Sequence, residues 1–342
     1  MSRADSRVTA KLSDEPAAGI HRIAVETPFA VGLINCYLLV GEPLTLVDTG
    51  PNSGSALDHL ERGLAELGVR VEELELIVLT HQHMDHEGLT EILARRSGAE
   101  VAAFAPLAPW LTDYRASAKL DDQYAQAVML RHGLRPDIVA LLGVLSAGMH
   151  SYGSRAVVTR PLQDGATLTM GGREFGVHHR PGHSPSDLVF LDSATGVLIG
   201  GDHLIGHISS NALITRPLAG FASGLDSGLR PTPLLDYARS LEATRELGVS
   251  RVLPGHGDVV EDPAGLIDRR LADQARRARR ILELLGGRSL TAHEIAGEMW
   301  GEVAIKQAYL TISEVLGHLD ILLAAGAVVE RDDDGVSRFT VR

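Results

Sequence analysis

The sequence predicts an α/β protein with a second, smaller unit at its C-terminal end, and three observations carry that expectation. Short apolar runs suited to strands alternate with helix-like segments up to about residue 262. At three places a histidine or an aspartate stands just past such a run, where loops converge and a sheet holds them still. From residue 263 the rhythm changes to helices and one hairpin. With 342 residues, 44% of them hydrophobic, the chain exceeds the usual single-domain length and can bury a sizeable core.

Residues 1 to 18 are polar and are expected to be irregular. Runs at Ile20 to Val25 and Leu33 to Val40 fit strands. Leu44 to Val47 fits a third, which enters the sharp turn Asp48-Thr49-Gly50. Residues 54 to 68 predict a helix and Leu76 to Leu79 a buried strand. The cluster His81-Gln82-His83-Met84-Asp85-His86 begins two residues beyond that strand. A helix near 88 to 97 and a strand near 100 to 104 follow. Residues 106 to 155 then depart from the strand rhythm, with Trp110, Tyr114, Met129, His132, Leu141, Leu142 and Met149 in helical segments. This region reads as a helical insertion, suited either to covering a site or to packing as a subdomain. Strand patterns resume at Ala166 to Met170, Phe175 to His178 and Leu188 to Leu191, with Gly171-Gly172 as a hairpin turn. Val197-Leu198-Ile199 leads into Gly200-Gly201-Asp202, and Arg251-Val252-Leu253 into Pro254-Gly255-His256-Gly257.

A helix is expected from about 263 to 285, its arginines at 269, 270, 276, 277, 279 and 280 forming a charged face opposite Ile267, Leu271, Ala275, Ala278 and Ile281. Residues 289 to 299 and 304 to 325 read as two further helices, and 327 to 341 as a hairpin around Asp333-Asp334-Gly335. That order suits a winged-helix-like unit, with Ser289 capping its second helix, Gly326 ending its third and Gly335 turning the wing.

Composition narrows the function classes. A formal charge of -12 and a pI near 5.6 argue against a broad basic surface for nucleic acid. The single cysteine, Cys36, rules out an intramolecular disulfide framework and a thiolate-rich metal cluster. The start lacks a signal peptide's apolar segment, and no apolar run reaches the roughly 20 residues of a membrane helix, so a cytoplasmic protein without membrane partners is expected.

His81 and His83 can point from the same side of an extended segment, whereas Asp85 and His86 change direction as the next helix begins. One short stretch can therefore serve two adjacent cations. Imidazole offers neutral nitrogen to a borderline metal, and carboxylate offers anionic oxygen that offsets accumulated positive charge and can bridge two ions. With His183, Asp202 and His256 downstream, the donor set has the number and kind for a two-metal hydrolytic site. His178 and His179 diverge in a strand and read as structural or exposed.

Leu46-Val47-Asp48-Thr49-Gly50, Thr80-His81-Gln82-His83-Met84-Asp85-His86, Pro181-Gly182-His183-Ser184, Gly201-Asp202-His203 and Pro254-Gly255-His256-Gly257 together resemble the signatures of the metallo-beta-lactamase fold superfamily. The resemblance spans residues 20 to about 260 and is specific for fold and binuclear chemistry rather than for substrate. It implies a four-layer αββα sandwich over residues 18–262, including the helical insertion, followed by the winged-helix-like unit at 263–342. By the same resemblance His81, His83 and His183 would hold one divalent ion, Asp85, His86 and His256 the other, and Asp202 would bridge them. Asp202 in place of a cysteine looks like the glyoxalase II-related hydrolase branches. Asp48 would lie beneath the site and fix the ligand loops. Zinc is the expected metal, with iron or manganese permitted by the same donors.

Two cations roughly 3.5 to 4 Å apart share a water and lower its pKa, and the resulting bridging hydroxide would attack an ester, thioester, lactone or phosphodiester centre. Asp85 is the candidate proton relay, and His203, His207, Ser209 and Asn211 are candidate substrate contacts. The insertion supplies apolar side chains without a dense Lys/Arg run, which favours a small acyl thioester or related ester over RNA. Two alternatives follow from the terminal unit: a metal-dependent endoribonuclease or phosphodiesterase, or a nucleic-acid-binding regulator with a ligand-sensing hydrolase-like domain. Lys306 alone on the 303–325 segment, and Asp332 to Asp334 on the wing, weigh against phosphate contact. The tail is instead expected to serve packing, association into a homo-oligomer or shaping of the active-site mouth.

Overall fold

The computed structural model describes residues 13–218 and 230–342, so the expectation for residues 1–12 lies outside the described residues. In chain order the elements are β1 (Ser13–Ala17), β2 (Ile20–Val25), β3 (Ile34–Leu39), β4 (Thr45–Val47), α1 (Gly54–Glu66), β5 (Leu76–Val78), α2 (Met84–Glu87), α3 (Thr90–Ser97) and β6 (Glu100–Phe104). The insertion follows as α4 (Ala108–Thr112), α5 (Tyr114–Arg131) and α6 (Pro136–Met149). Next come β7 (Arg160–Leu162), β8 (Thr167–Met170), β9 (Arg173–His179), β10 (Leu188–Asp192), β11 (Val197–Gly201), α7 (Pro233–Glu246) and β12 (Arg251–Pro254). The tail comprises α8 (Pro263–Leu285), α9 (Ala292–Trp300), α10 (Val303–Lys306), α11 (Ala308–Ala324), β13 (Val328–Asp333) and β14 (Val336–Val341).

The first sheet runs β1 to β7 in sequence order, antiparallel as far as β4 and parallel from β4 to β7. The second runs β12-β11-β10-β9-β8, with only β12 and β11 parallel. Strand β10 shows why the sheets stack as they do. Leu188 and Phe190 enter the core shared with the first sheet, whereas Val189 and Leu191 enter the core under α7 and α8. Side chains alternate across a strand, so a strand apolar at every position must be covered on both faces. The same split recurs in β11, with Ile199 toward the first sheet and Leu198 toward the helices. Helix α1 contributes Ala56, Leu60 and Leu64 to the first-sheet core, giving helix, sheet, sheet and helix in succession: the expected αββα order.

A third core joins regions far apart in sequence. Val128, Met129, Leu134 and Val139 of the insertion pack with Ala278, Ile281, Ile295, Ile312, Val315 and Phe339 of the tail. Helix α8 spans two cores: Leu266 and Ile267 sit with the sandwich, and Ala278, Ile281 and Leu285 with the tail.

Several elements differ from the sequence expectation. Residues 13–17 form an edge strand rather than an irregular segment, with Ser13 N and Oγ donating to Glu66 Oε2 at 3.2 and 2.9 Å. Its polar side chains suit an edge that faces water. Helix α7 lies outside the expected elements, although Leu234, Tyr237, Leu241 and Thr244 mark its buried face at helical spacing. The expected helix at 304–325 is interrupted at Gln307, where the backbone leaves helical geometry (φ -124, ψ 43). Thr291, not Ser289, caps α9: its side chain accepts from Glu294 N at 3.1 Å, and Glu294 Oε2 accepts from Thr291 N at 2.8 Å. That reciprocal pair satisfies two amides that Ser289, two residues outside, does not reach. Among the described residues no helix is long and apolar enough to cross a membrane.

Candidate metal centre

The centre forms where loops leave β4, β5, β9, β11 and β12. Asp48, immediately after β4, takes the left-handed backbone conformation (φ 58) that aspartate tolerates better than most residues. Its Oδ1 accepts from Thr80 N at 2.9 Å, and its Oδ2 from Thr80 Oγ1 and His86 Nδ1, both at 2.8 Å. One carboxylate thus ties the end of β5 to α2. The turn of α2, in which His86 N and Glu87 N donate to His83 O, swings Asp85 and His86 away from His81 and His83.

The structure brings the seven predicted donor residues together. His83 Nδ1 lies 3.0 Å from His81 Nε2 and 2.9 Å from His183 Nε2. Asp202 spans the assembly, Oδ1 standing 3.4 Å from His86 Nε2 and Oδ2 3.5 Å from both His183 Nε2 and His256 Nε2. His256 Nε2 is 3.3 Å from Asp85 Oδ2. Three groups have donor atoms within 4.8 Å of one another: His81, His83 and His183; His81, His86 and Asp202; and Asp85, His86 and His256.

What lies behind the rings fixes which nitrogen faces inward. His86 Nδ1 meets Asp48, His183 Nδ1 meets Asn211 O at 3.1 Å, and His256 Nδ1 meets Leu33 O at 2.8 Å. Those oxygens only accept, so Nδ1 carries a proton, and in the neutral ring Nε2 presents a lone pair to the cluster. Thr80 Oγ1 donates to Asp48 and accepts from His81 Nδ1 at 3.0 Å, which assigns His81 the same tautomer. His83 is the exception and turns Nδ1 inward.

Burial and the crowd of rings hold His81 well below the ordinary histidine range, and desolvation with His183 beside it takes His83 to about 3. Burial also acts against the charged form of His86, but Asp202, Asp48 and Asp85 overcome it and raise His86 well above that range. The reverse applies to Asp202: burial works to raise it, and His86 and His256 prevail and hold it well below the carboxylate range. His86 Nε2, His256 Nε2 and Asp202 Oδ1 are buried with no hydrogen-bond partner. Leaving such an atom unsatisfied costs about 1–3 kcal/mol. Converging lone pairs, orphaned donors and a histidine/carboxylate composition fit divalent cations.

Two glycines let the walls close on the donors. A Cβ on Gly201 (φ 47) would stand 2.8 Å from Thr80 Cβ, and one on Gly255 would overlap Asp202 Oδ1. Neither need is visible in the residue itself. Sequence reasoning also missed the carbonyls of Leu33 and Asn211, because every residue has a carbonyl and only the fold selects one. Thr80, adjacent to His81, was readable as a hydroxyl in reach of the ligand loop.

The predicted substrate contacts divide. His203 is fully buried, reaches Thr244 Oγ1 at 2.8 Å and lies edge-on to Tyr237, so its ring packs under α7. His207 and Ser209 are exposed, His207 standing against Gly257. Asn211 acts through its main chain on His183.

Beside the donors opens a cleft of about 240 Å³, reaching from His83 and Met84 past Trp110, Tyr114 and Leu218 to Tyr309. Asp121 in its wall accepts from Trp110 Nε1 and Arg216 Nε, both at 2.7 Å. Asp122 accepts from Ser146 Oγ at 2.7 Å and lies 3.1 Å from His150 Nε2.

The description Metallo-beta-lactamase superfamily matches residues 30–256 of the chain. A probable metallo-hydrolase of Bacillus subtilis, YqjP, is 31% identical over 306 residues, 90% of this chain and 92% of that protein. The atrochrysone carboxyl ACP thioesterase dmxR1 of Cryptosporiopsis is more distant, 24% identical over 60% of each chain. The crystal structure of a beta-lactamase domain protein from Burkholderia ambifaria superposes with a TM-score of 0.80 at 26% identity, covering 99% of this chain and 97% of its own, so that likeness extends through the tail.

Proposed function

Because the chain belongs to the metallo-beta-lactamase superfamily, a superfamily of metallo-hydrolases, we propose that it hydrolyses an acyl thioester or related ester at a binuclear centre loaded with zinc. In this reading His81, His83 and His183 hold one cation, Asp85, His86 and His256 the other, and Asp202 lies between them. Cations at these donors supply Lewis acidity and water activated near neutral pH. Asp48 holds His86 directly and His81 through Thr80, keeping both Nε2 lone pairs inward. Asp85 accepts the proton released from water on the carboxylate oxygen not facing His256 and passes it to the leaving group.

One observation supports an acyl substrate: Met84, Trp110, Tyr114, Leu218 and Tyr309 give the cleft beside His83 an apolar and aromatic stretch of wall, and the one guanidinium among its described lining residues, Arg216, is already paired with Asp121. A phosphodiester backbone needs surplus positive charge, and here Asp121 and Asp122 face one arginine and two histidines, one of which, His83, is assigned to the metal cluster. The distant thioesterase relative points the same way. A panel of acyl thioesters, lactones, phosphodiesters and RNA, run with elemental analysis of protein purified without added metal, tests the reading. Thioester turnover that chelation abolishes and zinc restores is expected; metal-dependent RNA cleavage with no acyl turnover would overturn it.

A further inference from the structure

We propose that the C-terminal unit forms a wall of the substrate cleft, and that Tyr309 of α11 sets the length of acyl group the enzyme accepts. The inference rests on the acyl-hydrolase reading for the identity of the group, and on the cleft alone for the position of the wall. Tyr309 lines the same cleft as His83 and Trp110, although more than two hundred residues separate it from His83. At about 240 Å³ the space falls below the roughly 300 Å³ at which ligand pockets ordinarily begin, so one bulky side chain in its wall removes a large share of it.

The ring is held in place. Tyr309 OH donates to Ile214 O, and Ser313 Oγ, one turn along α11, accepts from Ile214 N at 3.4 Å. Both main-chain groups of Ile214 are therefore engaged by the same helix, and its side chain sits in the core shared by insertion and tail. Ile214 lies between Asn211, whose carbonyl orients His183, and Arg216, which pairs with Asp121 across the cleft. The stretch behind Asp202 is fastened by the tail as well: Arg270 Nη2 of α8 donates to the carbonyls of Ile205, Gly206 and Ile208 at 2.8, 3.2 and 2.5 Å. Tail, cleft wall and a donor histidine form one mechanical unit. A side chain that merely braces this unit would affect all substrates alike, whereas one that bounds the acyl group would discriminate by chain length.

Tyr309→Ala and Tyr309→Phe in the full-length, metal-loaded protein, assayed on straight-chain acyl thioesters of increasing length, separate the two. Tyr309→Ala is expected to raise kcat/KM for the longest chain relative to the shortest by at least about tenfold, the discrimination that one methylene produces in a tight apolar pocket. Tyr309→Phe, which keeps the ring and loses the hydrogen bond, should retain the wild-type length profile. Should Tyr309→Ala fail to fold, Tyr309→Trp must shift the preference toward shorter chains. A loss uniform across the series overturns the proposal. Fluorescence of Trp110 in a Trp300→Phe background, titrated with non-hydrolysable alkyl thioethers, reads occupancy of the cleft without turnover. If the wild type hydrolyses no thioester, ester or lactone, the acyl-hydrolase reading falls. The titration then decides the wall by itself: a length preference that moves in Tyr309→Ala supports it, and an unmoved one overturns it.

Discussion

Within the metal cluster each ring except His83 is held from behind by a carbonyl or by the Asp48–Thr80 pair, and every one of the seven residues stands on a loop, or on the short helix α2, that follows a sandwich strand. The cleft beside it is assembled differently: α4 to α6 of the insertion, the stretch at 214–218 and α11 of the tail meet there, joined through a core that belongs to none of them alone. The difference teaches that, on the proposed reading, reactivity and selectivity have separate supports in this molecule. Damage to the sandwich loops should abolish chemistry, whereas damage to the insertion–tail core should change what is bound and leave the donors in place.

The largest effect is expected at Asp202. Asp202→Ala removes the carboxylate that reaches both halves of the cluster, and kcat should fall by at least about a thousandfold, about 4 kcal/mol, with metal content reduced in elemental analysis. Retention of full metal content and activity would break the comparison at its base. Next comes Ile312→Ala in the insertion–tail core, where truncating a fully buried isoleucine should cost about 2–4 kcal/mol in denaturant unfolding. In the folded variant KM should change more than metal content. Asp48→Asn keeps the left-handed backbone acceptable yet weakens the hold on His86, so metal affinity or kcat should drop about 10–100-fold.

A smaller effect separates the regions by pH. His132 lies buried on the Phe339 ring, and burial with Arg230 and Arg131 nearby lowers its pKa to about 3. The unfolded chain protonates this group near 6.5, so between those values the unfolded state binds more protons and stability falls as pH drops. His132→Leu should therefore flatten the acid limb, by about 2 kcal/mol at pH 5. Equal acid sensitivity in wild type and variant would remove His132 as the cause. Arg131→Ala, which breaks an exposed pair with Asp332, should leave the denaturant midpoint unchanged within error, because solvent screens such a pair.

Much of the sandwich was legible in the chain because its strands are short, apolar and followed by unusual residues: Asp48 after β4, His81 after β5, Asp202 after β11 and His256 after β12. The convergence of the seven candidate residues was legible because histidine and aspartate clustered after strands have few other uses. Helix α7 was missed although its spacing was present, and β1 was hidden by polar residues that an edge strand tolerates. The placement of His203 under α7 was not legible, since its neighbour Asp202 turns toward the cluster while His203 turns to Thr244.

By itself the sequence determined the strand rhythm, the donor set and the acidic, cysteine-poor character of the chain, because periodicity and residue chemistry are local properties. Only the tertiary structure decided which carbonyls orient the histidines, that insertion and tail share a core, and that Tyr309 stands in the cleft with His83. Such relations depend on packing between segments distant along the chain, and no local pattern of residues records which surfaces will meet.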